Sequence, residues 1–475
     1  MTPSLSAEIL KDLPPVNGAQ IEEGLSREIR SSAVKFVVLD DDPTGVQTVH
    51  DVSVYTDWSI ESLKQGLLEP QKLFYVLTNS RGMTAAESEE AHRQIARGLA
   101  AAARETGTQY AVISRSDSTL RGHYPLETEV LRQELEAAGG PIDGEILCFF
   151  FKEGGRFTIG DVHYVKEGDK LVPAADTEFA RDKTFGFRHS SLPEYIEEKT
   201  SGRYPAEQVA CIPLGMLRAQ DYEGIVQTLM QVHDFGKICV NAADDCDLQV
   251  FATALYRAMA RGKRFLFRTA ASFVKAVGGI PDIPLLARSD MIRGRPPVGG
   301  LVVAGSHTAK TTDQLEDLFG LAYVERIEFD SDLVLAGDGP FYAEVDRCVA
   351  AEEAAIRAGK VAVCYTRRRL LTVEDDTKES ALLRSVKISE GVQCLVGRLG
   401  VAPAFIVAKG GITSSTIGTC ALGVKKAQVL GQIRPGIPVW RTDSQSKFPM
   451  IPYVIFPGNV GDASDLRKTV EILMH

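Results

Sequence analysis

The chain has 475 residues, a formal net charge of −10 and a hydrophobic fraction of 44%. That length exceeds one typical core and predicts two or three domains. An acidic balance with no long basic run argues against nucleic acid or an anionic membrane as partner. Eight cysteines occur with no Cys-x-x-Cys pair, several inside apolar runs such as Ile146–Phe150 and Val361–Tyr365. Buried free thiols in a reducing compartment are therefore expected rather than zinc or disulfides. No apolar run reaches membrane-spanning length, and the N-terminus has no basic flank followed by an apolar core. A signal peptide and a membrane partner are not expected, and a cytoplasmic location is.

Residues 1 to about 33 are polar, with Pro14-Pro15 interrupting any long helix. They read as a leader lying on the first domain. Phe36–Leu39 reads as a buried strand, followed by another at Leu73–Leu77. A helix is expected from Thr84, where Glu87 completes a capping box, to about Arg104. A third strand at Tyr110–Ile113, a helix at about Leu126–Ala138 and a fourth strand at Ile146–Phe151 continue a βαβ rhythm, which predicts a largely parallel sheet. Residues 152–205 read as hairpins and loops over the site, and Ile238–Asn241 restores the α/β pattern. Residues 286–300, with Arg295-Pro296-Pro297, form the best linker. A second α/β unit follows, with strands entering loops at Leu301–Ser306, Val361–Tyr365, Ala404–Gly411 and Tyr453–Gly461. The expectation is an α/β protein of two domains, 1–290 and 298–475, with largely parallel or mixed sheets and a ligand cleft between them.

The first domain concentrates its chemistry in two phrases. Asp40-Asp41-Asp42-Pro43-Thr44-Gly45 follows the first strand, and Ser116-Asp117-Ser118-Thr119-Leu120-Arg121-Gly122 follows the third. Strand ends in open α/β sheets are where ligands bind. A loop carboxylate there, Asp41 or Asp42, can act as general base or magnesium ligand. Arg121 and Arg81, the latter in Thr78-Asn79-Ser80-Arg81, can clamp a carboxylate or phosphate, or can instead staple their own loops through Asp–Arg bridges. Carboxylates, hydroxyls and guanidiniums at one loop edge suit a polyhydroxy acid.

The second domain carries three glycine-bearing loops after apolar strands: Gly305-Ser306-His307-Thr308, Gly410-Gly411-Ile412-Thr413 and Gly458-Asn459-Val460-Gly461. Glycine lets backbone N–H groups approach phosphate oxygens, and a helix N-terminus adds its dipole. Gly305 through Lys310-Thr311 approaches the Walker A signature, but Ala309 replaces its second glycine, so a P-loop ATPase is set aside. His307 is expected to be a surface or capping residue, and Arg367-Arg368-Arg369 a solvated loop end.

With these motifs, the chain resembles the four-carbon acid sugar kinases. Asp40-Asp41-Asp42-Pro43-Thr44-Gly45-Val46 resembles the family's Ala-Asp-Asp-Leu-Thr-Gly-Ala. Arg115 through Gly122-His123 resembles Lys-x-Asp-Ser-Thr-Leu-Arg-Gly-Asn, and Ser80-Arg81 and Gly155-Arg156 resemble a Ser-Arg pair and a Gly-Arg-Thr segment. Ala304-Gly305-Ser306, Gly410-Gly411-Ile412-Thr413 and Phe456 through Gly461 resemble its Ser-Gly-Ser, Gly-Gly-Glu-Thr and Lys-Ser-Gly-Asn-Phe-Gly segments, with Ile412 in place of Glu and Phe456 in place of Lys.

The resemblance implies an ATP- and Mg2+-dependent kinase phosphorylating a hydroxyl of threonate, erythronate, a 3-oxo-tetronate or a related acid such as 3-oxo-isoapionate. On this reading Asp41 and Asp42 are catalytic. Thr44, Asn79, Ser80, Arg81, Asp117, Ser118, Thr119, Arg121, Gly155 and Arg156 bind the sugar acid. Gly305, Ser306, Thr308, Gly410, Gly411, Ile412, Thr413, Gly458, Asn459 and Gly461 bind ATP. The metal ligands are unspecified, and an oligomer is left open. Two alternatives stand beside it. Asp40-x-Asp42-x-Thr44 is similar to the loop of haloacid dehalogenase-type phosphatases, with Asp40 as nucleophile and Asp42 as acid/base. A nonenzymatic effector retaining the kinase fold is the other.

Overall fold

The computed structural model describes residues 2–475 apart from 295–297, 370, 372, 374–375 and 459. The centre of the expected linker, Arg295-Pro296-Pro297, thus lies outside the described residues. The chain forms two compact units. The first comprises Met1–Thr48 and Asp57–Asp282, the second Val49–Thr56 and Ile283–His475. Both are α/β: the main sheet of the first unit is parallel, and the sheet of the second is mixed.

In the first unit seven parallel strands lie in the order Ala210–Ile212, Gly236–Val240, Gly144–Cys148, Phe265–Thr269, Tyr110–Arg115, Lys35–Asp40, Leu73–Leu77. Lys35–Asp40 and Leu73–Leu77 are buried at every position, which is why they read as apolar runs without alternation: helices cover both faces of such a sheet. The helix Ala85–Thr106 starts on the expected Thr84/Glu87 capping box and stops at Gly107 in the left-handed region. From Lys35–Asp40 the chain moves to the neighbour on one side, Leu73–Leu77, and then to the neighbour on the other, Tyr110–Arg115. That reversal makes a topological switch point at the C-terminal ends of Lys35–Asp40 and Tyr110–Arg115. The two acidic phrases leave the sheet there.

The hairpin region is a small antiparallel sheet of Arg156–Ile159, Val162–Glu167 and Lys170–Pro173, extended by Leu5–Ser6. A bridge between Thr158 and Ala242 ties it to the main sheet. The polar leader thus lies on the first unit, and after Pro14-Pro15 it forms the helix Gly18–Ser31, with Ile21 and Leu25 buried.

In the second unit the strands run Ser53–Tyr55, Lys426–Arg434, Ile437–Thr442, Pro452–Phe456, Ile406–Lys409, Leu301–Ala304, Val361–Thr366, Val324–Phe329. The last five are parallel, and the first three join antiparallel. The chain starts at Leu301–Ala304, fills the side of Val324 and Val361, then crosses to Ile406–Lys409. The second switch point therefore lies where the Gly305 and Gly410 loops begin.

All eight cysteines are free. Four are fully buried (Cys148, Cys239, Cys348 and Cys364), but Cys211, Cys246 and Cys394 are half-buried and Cys420 is exposed, so burial is not general as expected. Among the described residues no helix is long and apolar enough to cross a membrane.

Candidate functional site

At the first switch point the three consecutive aspartates have three different surroundings. Asp40, the last residue of its strand, is 1% exposed and receives a hydrogen bond from Arg115 Nη1 at 3.0 Å. Burial pushes its carboxyl up to about 7 against the pull of Arg115. Gly45 closes over it so tightly that a Cβ there would overlap the carboxylate. Such enclosure disfavours Asp40 as a nucleophile, the role the phosphatase alternative needs. Asp41 is held by a two-point bond from Arg81, Nη2 to Oδ1 at 2.7 Å and Nε to Oδ2 at 3.2 Å. Burial raises its pKa, with Arg81 and Arg115 opposing. Asp42 keeps 21% of its side chain exposed. It accepts from the Thr44 backbone N–H at 2.8 Å and from Thr44 Oγ1 at 2.6 Å. Burial opposes its ionised form, but Arg81 and the two Thr44 hydrogen bonds prevail, so it sits below the usual carboxylate range. Of the three, Asp42 is the ionised carboxylate with access to a ligand.

The second phrase folds against the first. Asp117 accepts from Thr119 Oγ1 and from Arg121 Nε, the latter at 2.8 Å. Arg121 also reaches Asp182 at 3.6 Å. The alternative of internal bridges is therefore what the loops form: Arg81 and Arg121 are both occupied by carboxylates of their own site. Arg156 differs. Among the described residues it has no carboxylate bonded to it, and its buried Nε lacks a partner. Its guanidinium packs 5.4 Å from the Phe179 ring, which Arg121 flanks at 5.0 Å. Burial lowers its pKa while the field of Asp117 raises it. Its Nη1 donates to the Gly154 carbonyl, and among the described residues it alone of the three has no carboxylate partner.

Ser80, expected to touch the sugar acid, is instead buried and donates to Glu127 Oε1 at 2.6 Å. Asn79 sits beside it in the left-handed region with its Oδ1 buried and unpaired. The Ser118 carbonyl accepts from His163 Nε2 at 2.8 Å, and Thr158 Oγ1 lies 3.0 Å from Nδ1. Burial lowers His163 to about 4, so it is neutral at pH 7. Gly155 turns the chain at φ 70 immediately before Arg156.

Sequence reasoning missed a network beneath these loops. Glu127, in the helix Leu126–Gly139, accepts from Ser80, from Ser88 at 3.1 Å and from Arg268. Arg268 also donates to Ser114 Oγ at 2.8 Å. Burial opposes the Glu127 carboxylate, but Arg268 and its other partners hold it down to about 2. Arg268 is the one charge in the otherwise uncharged strand Phe265–Thr269, and that is the signal that could have marked it. At the same sheet edge, Ser116 Oγ, Thr269 Oγ1, Ser272 Oγ and Arg115 Nε are buried without partners. Unpaired buried polar atoms are costly unless a ligand or water completes them.

At the second switch point the three glycine loops meet around a cavity of about 500 Å³. Gly305, Ser306, Gly410, Gly411, Ile412, Thr413 and Gly458 all line it. A Cβ on Gly305 would lie 2.5 Å from Thr413 Oγ1, and Gly410 has φ 119, so neither position accommodates a side chain without movement. Thr308 caps the helix Ala309–Leu318 and lies 3.4 Å from the Gly458 carbonyl. Gly461 is not in the cavity wall; it turns the chain at φ 82 toward the last helix. Asn459 lies outside the described residues. Ile388, Val392 and Ile417 also line it, interspersed with Arg384, Ser385, Ser389 and Gln393. A cavity with apolar side chains beside glycine loops fits a base and its phosphates.

His307 lines the cavity half-buried, with Nδ1 3.1 Å from the Arg367 carbonyl. The reading of Arg367-Arg368-Arg369 as a solvated loop end is corrected: Arg367 pairs with Asp330 at 2.7 Å and Asp332 at 3.1 Å, and Arg368 donates to the Ser306 carbonyl at 2.6 Å. Only Arg369 is well exposed, at 78%.

Residues 36–277 match the family of sugar-binding N-terminal domains. Residues 301–466 match the family of nucleotide-binding C-terminal domains. The chain belongs to this two-domain family. The combination fits the four-carbon acid sugar kinases. Among solved structures, the Haemophilus influenzae protein HI1011, of the family labelled DUF1537, is similar at 16% identity over 92% of this chain and 100% of its own, with a TM-score of 0.62. A Salmonella typhimurium LT2 protein provisionally described as a tRNA synthase is similar at 16% identity over 91% of this chain and 98% of its own, with a TM-score of 0.63. Likeness at that identity is one of fold. No curated protein matches.

Proposed function

We propose that the chain is an ATP-dependent kinase that phosphorylates a hydroxyl of a small sugar acid: a four-carbon acid such as threonate, erythronate or 3-oxo-tetronate, or a related oxo acid such as 3-oxo-isoapionate. The observation that carries the reading is the pairing of two differently equipped switch points in one chain. One presents Asp42 with access and Arg156 without a carboxylate partner; the other is a cavity with apolar side chains beside glycine loops.

Arg156 receives the substrate carboxylate, and the unpaired Asn79 Oδ1 accepts from one of its hydroxyls. Arg81 and Arg121 act one step back: by holding Asp41 and Asp117 they fix the loops that carry Asp42 and Arg156. Asp42 accepts the proton of the attacking hydroxyl, and Thr44 orients the acceptor oxygen. In the second unit the backbone N–H groups of the Gly305, Gly410 and Gly458 loops would hold the phosphates. Phosphoryl transfer depends mostly on positioning and charge stabilisation, and Mg2+ carried on the phosphates would supply part of that charge.

Phosphorus NMR of the chain with ATP, Mg2+ and each acid tests the reading. A new phosphomonoester resonance on one acid supports it. Release of inorganic phosphate alone, whatever the acid, argues against it.

A further inference from the structure

Lys409 ends the strand Ile406–Lys409 and is fully buried, directly before Gly410-Gly411 in the cavity wall. Its ammonium donates to the Pro457 carbonyl at 2.6 Å and the Gly458 carbonyl at 3.2 Å, and it lies 4.2 Å from the centroid of the Phe456 ring. Among the described residues no carboxylate pairs with it. Two of its three protons are thus assigned to carbonyls of the very loop that meets the other two: a Cβ on Gly458 would lie 3.5 Å from Ser306 Oγ and 4.0 Å from Gly410 Cα. A buried cation without a counter-ion is costly in an empty protein. An anionic ligand in the adjacent cavity would offset that cost.

We infer that Lys409 is a positioning residue whose charge, set beneath the junction of the Gly410 and Gly458 loops, makes this cavity select nucleotides with a polyphosphate tail over the bare nucleoside. Its contacts to the Pro457 and Gly458 carbonyls hold that loop in place, while the ammonium supplies a positive field from behind it. Burial, reinforced by Lys310, holds the free ammonium down to about 7, the direction expected for a cation awaiting an anion. Arg368 plays a parallel part at the other loop through the Ser306 carbonyl, from a half-buried position.

The inference rests on the nucleotide reading of the cavity, and calorimetry on the full chain separates the two. Wild type should bind ATP well and adenosine weakly. Lys409→Met should bind ATP about 10–100-fold less tightly, the range for one unit charge acting on the phosphates across a protein medium, with adenosine affinity unchanged. Lys409→Arg should retain a preference for ATP. An unchanged ATP-to-adenosine ratio in Lys409→Met would overturn the inference. So would a parallel loss of both ligands with a lowered Tm, the mark of a mere structural brace. If Lys409→Met does not fold, the wild-type Lys409 Nζ resonance, in protein labelled with 15N-lysine and assigned through Lys409→Arg, decides: tripolyphosphate should shift it, and no shift at saturation would overturn the inference. Wild type that binds neither ATP nor adenosine would remove the nucleotide reading itself, and this inference with it.

Discussion

Asp40 and Asp42 stand two residues apart in the chain and differ in everything that matters for proton transfer. Asp40 is enclosed and tends to hold its proton to about 7; Asp42 is partly exposed and ionised well below that. The Asp42→Asn variant should keep its fold and lose about 10²–10⁴-fold in kcat, the usual range for a general base; steady-state kinetics with a Tm measurement would show it, and near-wild-type kcat would remove Asp42 from the mechanism. Arg156→Gln should act differently. It should raise KM for the sugar acid by about 10–100-fold, the worth of a charge-assisted hydrogen bond, with the KM for ATP unmoved. The residues of this edge were legible because they are packed into two short phrases. What was not legible was their occupancy. The identity of Arg81 and Arg121 says nothing about whether Asp41 and Asp117 already claim them, because a guanidinium suits an internal and an external carboxylate equally well.

At the scale of elements, apolar strands and capped helices were readable directly. Thr84 and Glu87 specify a helix start through backbone N–H groups that need acceptors. Strand order was not readable, since side-chain patterns fix which face is buried but not which neighbour a parallel strand takes. The two switch points, and with them the reason the loops meet, appear only in the fold. The Glu127–Arg268 network was likewise hidden, because its members come from a loop, two helices and two strands distant in sequence. Glu127→Gln leaves the buried Arg268 without its counter-ion and should destabilise the chain by about 3–5 kcal/mol, as breaking a buried pair does. The sign with pH follows from the depressed carboxyl: its contribution is fully present above about 4.5 and is lost as pH falls toward 2. Denaturant titrations should therefore show the wild-type advantage over Glu127→Gln shrinking across that window. A constant difference from pH 6 to pH 3 would contradict the assignment. In the second unit, Gly410→Ala places a Cβ at φ 119 and 3.2 Å from Thr413 Oγ1. ATP affinity should fall sharply in calorimetry, while the sugar-acid affinity stays the same.

For the whole molecule, each unit has its own run of parallel strands and its own switch point, and the family matches divide in the same sense: sugar-binding before, nucleotide-binding after. Each ligand should then stabilise the chain separately. A ligand at about 100 times its Kd contributes about 2.7 kcal/mol, so ATP and the sugar acid should each raise Tm, and a ligand that raises none is not bound at the assigned edge. The two-unit organisation was visible in the sequence, because the βα rhythm pauses around residue 295 and resumes at Leu301. The exchange of Val49–Thr56 into the second unit was not, since Ser53–Tyr55 is three residues long and its placement depends on pairing with Lys426–Gln428.

The central claim is that one chain transfers phosphate from ATP to a sugar acid. The most direct test is ADP release from ATP and Mg2+ across threonates, erythronates, 3-oxo-tetronates and 3-oxo-isoapionate, run beside Asp42→Asn. The account predicts ADP release dependent on one acid of this class and abolished in the variant. Release that ignores the acid, or no release on any acid while phosphate is cleaved from sugar phosphates, would contradict it.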